Sequence, residues 1–467
     1  MCGILGVTLP PAAGEYEAAR QSFFGLFALQ HRGQEGAGLA TADGTGARIL
    51  KDTGLVTQLL TEERLRQLPG HHAIGHTRYS TTGSSVVRNA QPFLVETRHG
   101  PLGMVHNGNL VNAAELRDDL LARGFPLAAT SDSEVMLLML ASAGGTTWEE
   151  RIERTMPAWK GAYSLVILVS DRILAVRDPW GFRPLSIGRL PEGGWATASE
   201  TCALSTLGCT GIREVEPGEI VTLSGDTMVG QNSLFSPPIS ARCTFEHVYF
   251  SRPDSVWDGT SVHHVRQRLG ELLAEEAPVA ADVVVPVPDS SIPAAIGYSQ
   301  RSGIPFNDGF IKNRYIGRTF IEPTQAMRDH GVAMKFNVLR ENLVGRRVIM
   351  IDDSIVRGTT AGPLVRMLRE AGATEVHVRV TCPPIENPCH MGLDMGTYEE
   401  LISYRMNVEE LRSHIGADSL SFLSLPSMMK AIGRTDGYCN ACFTGEYPVP
   451  VPVTIGRSKQ LFEGVLR

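Results

Sequence analysis

VIMIDDSIVRGTT, from Val348 to Thr360, is the stretch that decides the fold of its half of the chain. Four apolar residues at its start predict a buried strand, and the carboxylates of Asp352 and Asp353 follow that strand. A short loop around Gly358 leads into a helical pattern from Ala361 to Gly372. Backbone N–H groups at a helix start can hold a phosphate, and paired carboxylates suit ribose hydroxyls or hydrated Mg²⁺. A solvated polar turn is the simpler interpretation, but the complete run favours a site for a phosphorylated sugar.

The composition is typical of soluble globular proteins, with 43% apolar and 20% charged residues. The net charge of −7 is spread over interspersed acids and bases, which does not favour binding to nucleic acid or to a membrane surface. At 467 residues we expect at least two domains. Pro237 and Pro238 mark a predicted linker, which separates residues 1–236 from residues 237–467.

The cellular location is predicted from features that the sequence lacks. No apolar run approaches the length of a membrane span, and the start MCGILGV lacks the basic and long apolar regions of a signal peptide. We therefore expect a cytoplasmic protein. In that compartment its eight cysteines favour catalysis or metal binding over a disulfide framework.

Cys2 stands at a position with special chemistry. Removal of Met1 would leave a thiol and a free α-amino group on one residue, which can then act as nucleophile and general base together. Four further motifs follow Cys2 in the first half. They are HRGQEGAG (His31–Gly38), GHTRYSTTG (Gly75–Gly83), HNGNL (His106–Leu110) and TSDSE (Thr130–Glu134). In content and order this series resembles the N-terminal-nucleophile domain of the class II glutamine amidotransferases.

The resemblance implies a role for each motif in hydrolysing the side-chain amide of glutamine. The side chain of Asn107 and the backbone N–H of Gly108 would stabilise the tetrahedral oxyanion. Arg78 would bind the α-carboxylate of glutamine through its two-pronged guanidinium, and Asp132 would bind the α-ammonium group. Because the family uses the terminal amine as base, the histidines of HRGQ and HNGN are interpreted as structural.

The second half carries its own family signature. VIMIDDSIVRGTT resembles the motif of the type I phosphoribosyltransferases, which implies phosphoribosyl pyrophosphate as a substrate. Ser290, in the loop PVPDSS, matches a magnesium-ligand position together with Asp352 and Asp353. The basic segment Ile311–Leu339 would close over the substrate, although a basic run is more often a solvated surface. The residues implied to bind the phosphoribosyl group are Lys312, Arg314, Lys335, Asp352, Asp353, Ser354, Arg357, Gly358, Thr359 and Thr360.

Together the two halves resemble the amidophosphoribosyltransferase family. The resemblance implies a four-layer αββα sandwich followed by a parallel-sheet phosphoribosyltransferase domain. It also implies that glutamine and phosphoribosyl pyrophosphate yield 5-phosphoribosylamine, glutamate and pyrophosphate, with Mg²⁺ as cofactor, as the first step of de novo purine synthesis. A homotetramer inhibited by purine nucleotides is expected of this family. The alternatives are another class II amidotransferase, which would carry a sugar-isomerase or ATP-pyrophosphatase domain, and a non-catalytic iron–sulfur or nucleotide sensor.

Four cysteines of the second half form a predicted metal site. Cys439 and Cys442 have the C-x-x-C spacing of metal ligands, and Cys243 and Cys389 stand far away in sequence. All four match the iron–sulfur branch of the family, which implies a [4Fe–4S] cluster. Zinc has the same ligand count and is not distinguished by spacing. That branch often carries a short propeptide, so either the propeptide or Met1 alone must be removed to free Cys2.

Other stretches predict single elements. Gly161–Asp178 is typical of two strands joined by a turn, and Val262–Ala277 of a helix. Asp282–Val287 and Glu375–Val380 predict two further strands. The segment Tyr398–Arg434 has a helical pattern throughout.

Overall fold

The computed structural model describes residues 2–80, 83–232, 237, 239–313 and 334–452. Within those ranges no helix has the length and apolar character needed to cross a membrane. The strands up to residue 232 form two sheets of their own, and the later strands form others. The two parts are called here the first half and the second half.

The first half is built on two antiparallel sheets. Its strands are β1 (Gly3–Thr8), β2 (Gly36–Ala42), β3 (Ala47–Thr53), β4 (His72–Arg78), β5 (Phe93–Thr97), β6 (Gly100–Leu110), β7 (Gly161–Val169), β8 (Arg172–Arg177), β9 (Ser186–Arg189), β10 (Trp195–Ala198), β11 (Thr210–Glu214), β12 (Glu219–Ser224) and β13 (Thr227–Asn232). The first sheet has the order β11-β9-β10-β1-β4-β2-β3, and the second has the order β13-β12-β8-β7-β6-β5.

Helices cover the outer faces of both sheets. The described helices are α1 (Glu17–Ala28), α2 (Val56–Leu59), α3 (Glu62–Leu65), α4 (Ala113–Ala122), α5 (Asp132–Ser142), α6 (Trp148–Thr155) and α7 (Thr201–Thr206). One apolar core lies between α1, α7 and the first sheet, a second between the sheets, and a third between the second sheet and α4 to α6. This layering confirms the predicted αββα sandwich, and β7 and β8 confirm the strand pair predicted for Gly161–Asp178.

The second half contains a parallel sheet. Its strands are β14 (Arg242–Cys243), β15 (Val256–Trp257), β16 (Thr260–Ser261), β17 (Val283–Pro286), β18 (Phe310–Lys312), β19 (Phe336–Val338), β20 (Arg347–Asp352), β21 (Glu375–Val380), β22 (Ser419–Phe422) and β23 (Tyr438–Cys439). Its helices are α8 (Val262–Glu276), α9 (Ile292–Ser302), α10 (Ala361–Glu370), α11 (Ile402–Arg405), α12 (Val408–Ile415), α13 (Leu425–Ile432) and α14 (Ala441–Thr444). The parallel strands have the order β17-β20-β21-β22, which confirms the predicted architecture.

Close helix packing and short connections position this sheet. Helices α8 and α9 meet so tightly that a Cβ on Gly270 would lie 1.8 Å from the carbonyl oxygen of Ala294, so only glycine fits there. Strands β17 and β20 are each followed by a helix, α9 and α10, and both strands end at the same edge of the sheet. Ligands bind at that edge in open α/β sheets.

The helical prediction for Tyr398–Arg434 is wrong in part. The segment contains the short helices α11 and α12, but Ser419–Phe422 then forms β22, the outermost described strand of the parallel sheet. Pairing with β21 satisfies its backbone groups, and this tertiary contact outweighs the local helical pattern. Helix α13 follows β22 and ends at Ile432.

Candidate active sites

The backbone nitrogen and thiol of Cys2 face residues of the predicted glutamine site. Cys2 lies directly before β1 and is partly exposed. Its nitrogen donates to Oδ1 of Asn107 at 3.3 Å, and its Sγ donates to the carbonyl oxygen of Tyr79 at 3.4 Å. After removal of Met1 this nitrogen would be the α-amine. An amine and a thiol on one residue, both held by fixed acceptors, are the groups that an N-terminal nucleophile needs.

An unpaired donor lies beside Cys2. The side chain of Asn107 is 1% exposed, and its Nδ2 has no hydrogen-bond partner among the described residues. A buried donor without a partner is costly, so such a group in a native site calls for a ligand. The next residue, Gly108, packs so closely that a Cβ would lie 2.0 Å from the carbonyl oxygen of Ala162. Strand β6 therefore presents an unpartnered amide donor, of the kind that an oxyanion requires, next to a position that only glycine fits.

Arg78 and Asp132 are buried charged groups held by backbone contacts. The guanidinium of Arg78 donates to the carbonyl oxygens of Asn89 and Gly83, at 2.6 and 3.2 Å. Asp132 opens α5, and its Oδ2 accepts from the N–H of Leu110 at 3.0 Å, so α5 and the end of β6 are fixed together. One cation and one anion are thus held rigidly within the sandwich that also positions Cys2. A zwitterionic amino acid presents the complementary pair of charges.

The two motif histidines have partners other than the thiol of Cys2. The ring nitrogens of His106 contact the Ser133 hydroxyl at 3.1 Å and the Ala162 carbonyl oxygen at 3.3 Å. Burial lowers the pKa of His106 below its ordinary value, although the nearby Asp132 carboxylate raises it. His31 contacts Glu200 at 2.8 Å. These contacts fit the structural role predicted for both rings.

A cavity of about 730 Å³ lies at the carboxyl edge of the parallel sheet. It extends from the loops after β17 and β20 to side chains of the first half, so both halves form its walls. Its lining includes Pro288, Asp289, Ser290, Lys312, Lys335, Asp352, Asp353, Ser354, Arg357, Gly358, Thr359, Thr360 and, from the first half, His31, Gln34 and Tyr79. Tyr79 therefore connects the two predicted sites, because it lines this cavity and its carbonyl oxygen accepts from the Cys2 thiol.

The carboxyl groups of Asp352 and Asp353 in this cavity both have raised pKa values. Burial, and then the neighbouring carboxylate of Asp353, raise the pKa of Asp352 well above its ordinary value. Burial also raises the pKa of Asp353, against hydrogen bonds from Ser290 at 2.5 Å and Ser354 at 2.7 Å and the charge of Arg266. Two adjacent buried carboxylates stabilise an added cation or hydroxyl donors, so the pair fits Mg²⁺ or ribose hydroxyls.

Basic side chains near the acids already form ion pairs at the cavity rim. Arg357 reaches Glu400 and the carbonyl oxygen of Asp394, both at 3.2 Å. Lys312 contacts Asp289 at 2.8 Å, and both side chains remain partly exposed. A polyanionic ligand can exchange these exposed partners at little cost, because exposed ion pairs contribute little stability.

The structure brings most of the predicted phosphoribosyl residues to one cavity. Every residue of this set that the structure describes lines the cavity. These residues lie at the end of β20 and in the loop after it, at the end of β18 (Lys312) and directly before β19 (Lys335). Arg314, the remaining member of the set, lies outside the described residues, so its role stays a prediction.

The four predicted cluster cysteines are neighbours in space. Cys243 and Cys439 are directly paired in the two-stranded parallel unit of β14 and β23. Burial, and then the nearby Cys243 and Cys389, raise the pKa of Cys439 to about 12. The pKa of Cys442 is raised by burial and by the same neighbours together with Cys439. In the part of the chain that the structure describes, no group of three or more His, Cys, Asp or Glu side chains has an arrangement that could hold a metal ion.

Some contacts at the sites were not predicted from the sequence. Tyr79 lies inside the quoted motif GHTRYSTTG, and its hydroxyl donates to Asp394 of the second half at 3.2 Å. Arg266, on α8, is buried beneath the acidic pair and donates to the carbonyl oxygens of His247 and Ser251, at 2.7 and 2.8 Å. Helix α8 was predicted, but a buried arginine in a helical pattern has no signal that distinguishes it from a surface arginine.

Comparison with known proteins gives consistent matches over nearly the whole chain. Residues 76–206 match the family model described as a glutamine amidotransferase domain. The chain is 48% identical to the amidophosphoribosyltransferase of Synechococcus elongatus, over 99% of this chain and 94% of the relative. It is 47% identical to the amidophosphoribosyltransferase of Bacillus subtilis, over 96% of this chain and 94% of the relative.

The fold has a close match among solved structures. The glutamine phosphoribosylpyrophosphate amidotransferase of Bacillus subtilis, complexed with ADP and GMP, superposes with a TM-score of 0.90 at 45% identity. The match covers 97% of this chain and 98% of that chain.

Proposed function

The chain belongs to the amidophosphoribosyltransferase family, and we propose how its residues divide that family's reaction between two sites. The enzyme converts glutamine, phosphoribosyl pyrophosphate and water into 5-phosphoribosylamine, glutamate and pyrophosphate, the first step of de novo purine biosynthesis. We assign glutamine hydrolysis to residues 1–236 and phosphoribosyl transfer to residues 237–467. The separate sheets of the two halves support this boundary.

Cys2 is the proposed nucleophile of the glutaminase site. Its thiol would attack the side-chain amide carbon of glutamine while its freed α-amine takes the thiol proton and passes it to the leaving ammonia. Nδ2 of Asn107 and the N–H of Gly108 would bind the developing oxyanion, and Arg78 and Asp132 would bind the α-groups of glutamine. The single observation that carries this assignment is the buried, unpartnered Nδ2 of Asn107 beside the backbone nitrogen of Cys2.

Asp352 and Asp353 are the proposed centre of the acceptor site. Their carboxylates would hold the ribose hydroxyls, and the loop 354–360 with the start of α10 would hold the 5′-phosphate. Ser290 and the acidic pair fit Mg²⁺, which when bound would neutralise the charge that develops on the leaving pyrophosphate. Lys312 and Lys335, on the cavity wall, would bind the pyrophosphate.

Ammonia would pass between the sites inside the molecule. The proposal is supported by Tyr79, which lines the cavity that contains the acidic pair and whose carbonyl oxygen accepts from the Cys2 thiol. An internal path keeps ammonia unprotonated and therefore nucleophilic, because free ammonia is mostly protonated at neutral pH.

Separate assays with glutamine and with ammonium test this division. Cys2→Ala should abolish glutamine-dependent synthesis and leave ammonium-dependent synthesis close to that of the unaltered enzyme. Cys209→Ala is the matched control, because Cys209 is a free thiol of the first half that packs against the core between α1, α7 and the first sheet, and this variant should support both reactions. Loss of both activities in Cys2→Ala would contradict the two-site assignment, and retention of both would favour a different nucleophile.

We also propose a [4Fe–4S] cluster on Cys243, Cys389, Cys439 and Cys442. Four neighbouring thiols are the donor set that such a cluster requires. Their arrangement in the described residues does not itself form a metal site, so binding of the cluster would draw the four side chains together. The cluster would tie β14, β23 and the segment around Cys389 together, which is a structural role. The reaction includes no redox step, so an electron-transfer role is not part of the proposal.

Metal analysis of anaerobically purified protein tests the cluster. We expect a brown protein with about four irons per chain. Cys389→Ala should lower the iron content and the visible absorbance, whereas Cys382→Ala, at a buried thiol outside the set, should retain both. A colourless protein with one zinc per chain would contradict the cluster, and the mass of the N-terminal peptide from the same sample identifies how Cys2 is exposed.

The remaining family properties are proposed by resemblance. We expect a cytoplasmic homotetramer that purine nucleotides inhibit, since the Bacillus subtilis structure was solved with ADP and GMP. Sedimentation velocity with and without these nucleotides, together with inhibition assays, tests both statements.

A further inference from the structure

A buried arginine holds the backbone of the proposed nucleophile. Nε of Arg32 donates to the carbonyl oxygen of Cys2 at 2.9 Å, and the side chain is fully buried. Its remaining nitrogens donate to two carboxylates, Glu200 at 2.5 Å and Glu246 at 3.0 and 2.9 Å. The five donors of a guanidinium are fixed in one plane. The two carboxylates therefore fix the orientation of the guanidinium, and the guanidinium in turn fixes the position of the Cys2 carbonyl.

The two carboxylates come from different halves of the molecule. Glu200 precedes α7 in the first half, and Glu246 opens a π-helical turn, Glu246–Phe250, in the second half. Burial opposes ionisation of Glu246, but the charge of Arg32 lowers its pKa below the ordinary value. Glu246 also lies 3.6 Å from the buried Arg183 of the first half. The contact between the halves is therefore a network of buried charges, in which loss of one partner leaves an uncompensated ion.

The π-helical turn is itself firmly anchored in the second half. The hydroxyl of Ser251 donates to Glu246 at 2.8 Å, and Arg266 binds carbonyl oxygens at both ends of the turn. The charge of Arg266 also acts on Asp353 of the acceptor site. Single π-helical turns are rare in proteins, and those that occur often lie at functional sites.

We propose that Arg32 and Glu246 are positioning residues for Cys2, through which the second half fixes the nucleophile of the first. The guanidinium of Arg32 holds the Cys2 carbonyl, and Glu246 holds that guanidinium from the phosphoribosyltransferase side. This inference rests on the proposed role of Cys2. It assigns no proton transfer to either residue, because the nitrogen of Cys2 contacts Asn107, its thiol contacts Tyr79, and Arg32 contacts its carbonyl oxygen.

Arg32→Lys and Glu246→Gln test the proposal in the full-length enzyme. Lysine keeps the charge but cannot reach the Cys2 carbonyl and two carboxylates together. We expect kcat with glutamine to fall about 100-fold, the effect of a displacement of roughly 1 Å at a reacting group. KM for glutamine should remain nearly unchanged because Arg78 and Asp132 are intact, and ammonium-dependent synthesis should also remain. Glu246→Gln should give the same pattern with a smaller loss, about tenfold.

Glu214→Gln is the matched control. Glu214 also pairs with a buried arginine, Arg177 at 3.2 Å, and accepts the backbone N–H of Asp258 in the second half, but it does not contact Cys2. Kinetics of Arg32→Lys and Glu246→Gln that match those of Glu214→Gln would overturn the inference. So would parallel loss with both nitrogen sources, or failure of both variants to fold while Glu214→Gln folds, since either result marks a general structural role. If Cys2→Ala retains glutamine-dependent synthesis, the proposed function itself fails.

Discussion

The proposed glutamine site and the proposed phosphoribosyl site differ in how their polar groups are held. At the glutamine site Arg78, Asn107 and Asp132 are at most 5% exposed and lie on strands or a helix start with backbone partners. At the proposed phosphoribosyl site the side chains of Lys312 and Arg357 are 35% exposed, and burial and the neighbouring Asp353 raise the pKa of Asp352 well above its ordinary value. The first site is organised before its substrate arrives, whereas the second needs a cation and a polyanion to complete its charge balance.

Asp352→Asn should produce the largest loss and affects the site that both nitrogen sources share. Replacement removes one of two carboxylates that bind the ribose or Mg²⁺, and we expect synthesis to fall about a thousandfold, or roughly 4 kcal/mol of transition-state stabilisation. The loss should be equal with glutamine and with ammonium. Initial rates with each nitrogen source at saturating phosphoribosyl pyrophosphate provide the measurement.

Asp282→Asn is the control for this prediction. Asp282 lies at the opposite end of the parallel sheet, where it pairs with the exposed Arg347 at 2.8 Å. Loss of an exposed pair should change stability by less than about 1 kcal/mol and leave synthesis intact. A defect of Asp352→Asn that is confined to glutamine would contradict the role of the acidic pair.

Asn107→Ala should have a smaller and selective effect. It removes one preorganised oxyanion donor, which lowers kcat with glutamine about 100-fold and spares ammonium-dependent synthesis. Steady-state kinetics with both nitrogen sources measure the selectivity. Asn112→Ala is the control, because its side-chain amide contacts the backbone of Ala158 and Lys160 and it lies beyond the end of β6. Equal kinetics for the two variants would mean that Asn107 is not an oxyanion donor.

The smallest expected effect, taken per histidine and per pH unit, is a pH dependence of stability that both halves share. Burial lowers the pKa of His72 in the first half to about 4 and that of His247 in the second half to about 3. Below the ordinary pKa of about 6.5 the unfolded chain takes up protons that the folded chain does not, so the free energy of unfolding falls as the pH drops from 6.5 towards 4.

The slope contributed by each histidine approaches 1.4 kcal/mol per pH unit in that window. Urea unfolding followed at several pH values between 4.5 and 7 measures it. His72→Gln and His247→Gln should each flatten the dependence. A dependence that neither replacement changes would place its origin in other groups.

Features that depend on adjacent residues could be predicted from the sequence, and features that depend on contacts between distant residues could not. Val348–Thr360 gave the strand, the acids and the start of α10 because each feature depends on adjacent residues. The network around Arg32 could not be predicted, since its carboxylates stand 168 and 214 residues away along the chain. Strand β22 was missed for the same reason: its pairing with β21 is a tertiary contact.

The pairing of β14 with β23 brings the beginning of the second half into contact with a strand near its end. Thr244 donates to the carbonyl oxygen of Cys439, a residue 195 positions later, and the two strands run parallel. Synthesis on the ribosome proceeds from the N-terminus, so β14 can pair with β23 only after almost all of the described chain has been made. Such a long-range closure is slow to form. A nascent chain that stops before Tyr438 lacks two of the four proposed cluster ligands, so the proposed cluster could be completed only after Cys442 has been synthesised.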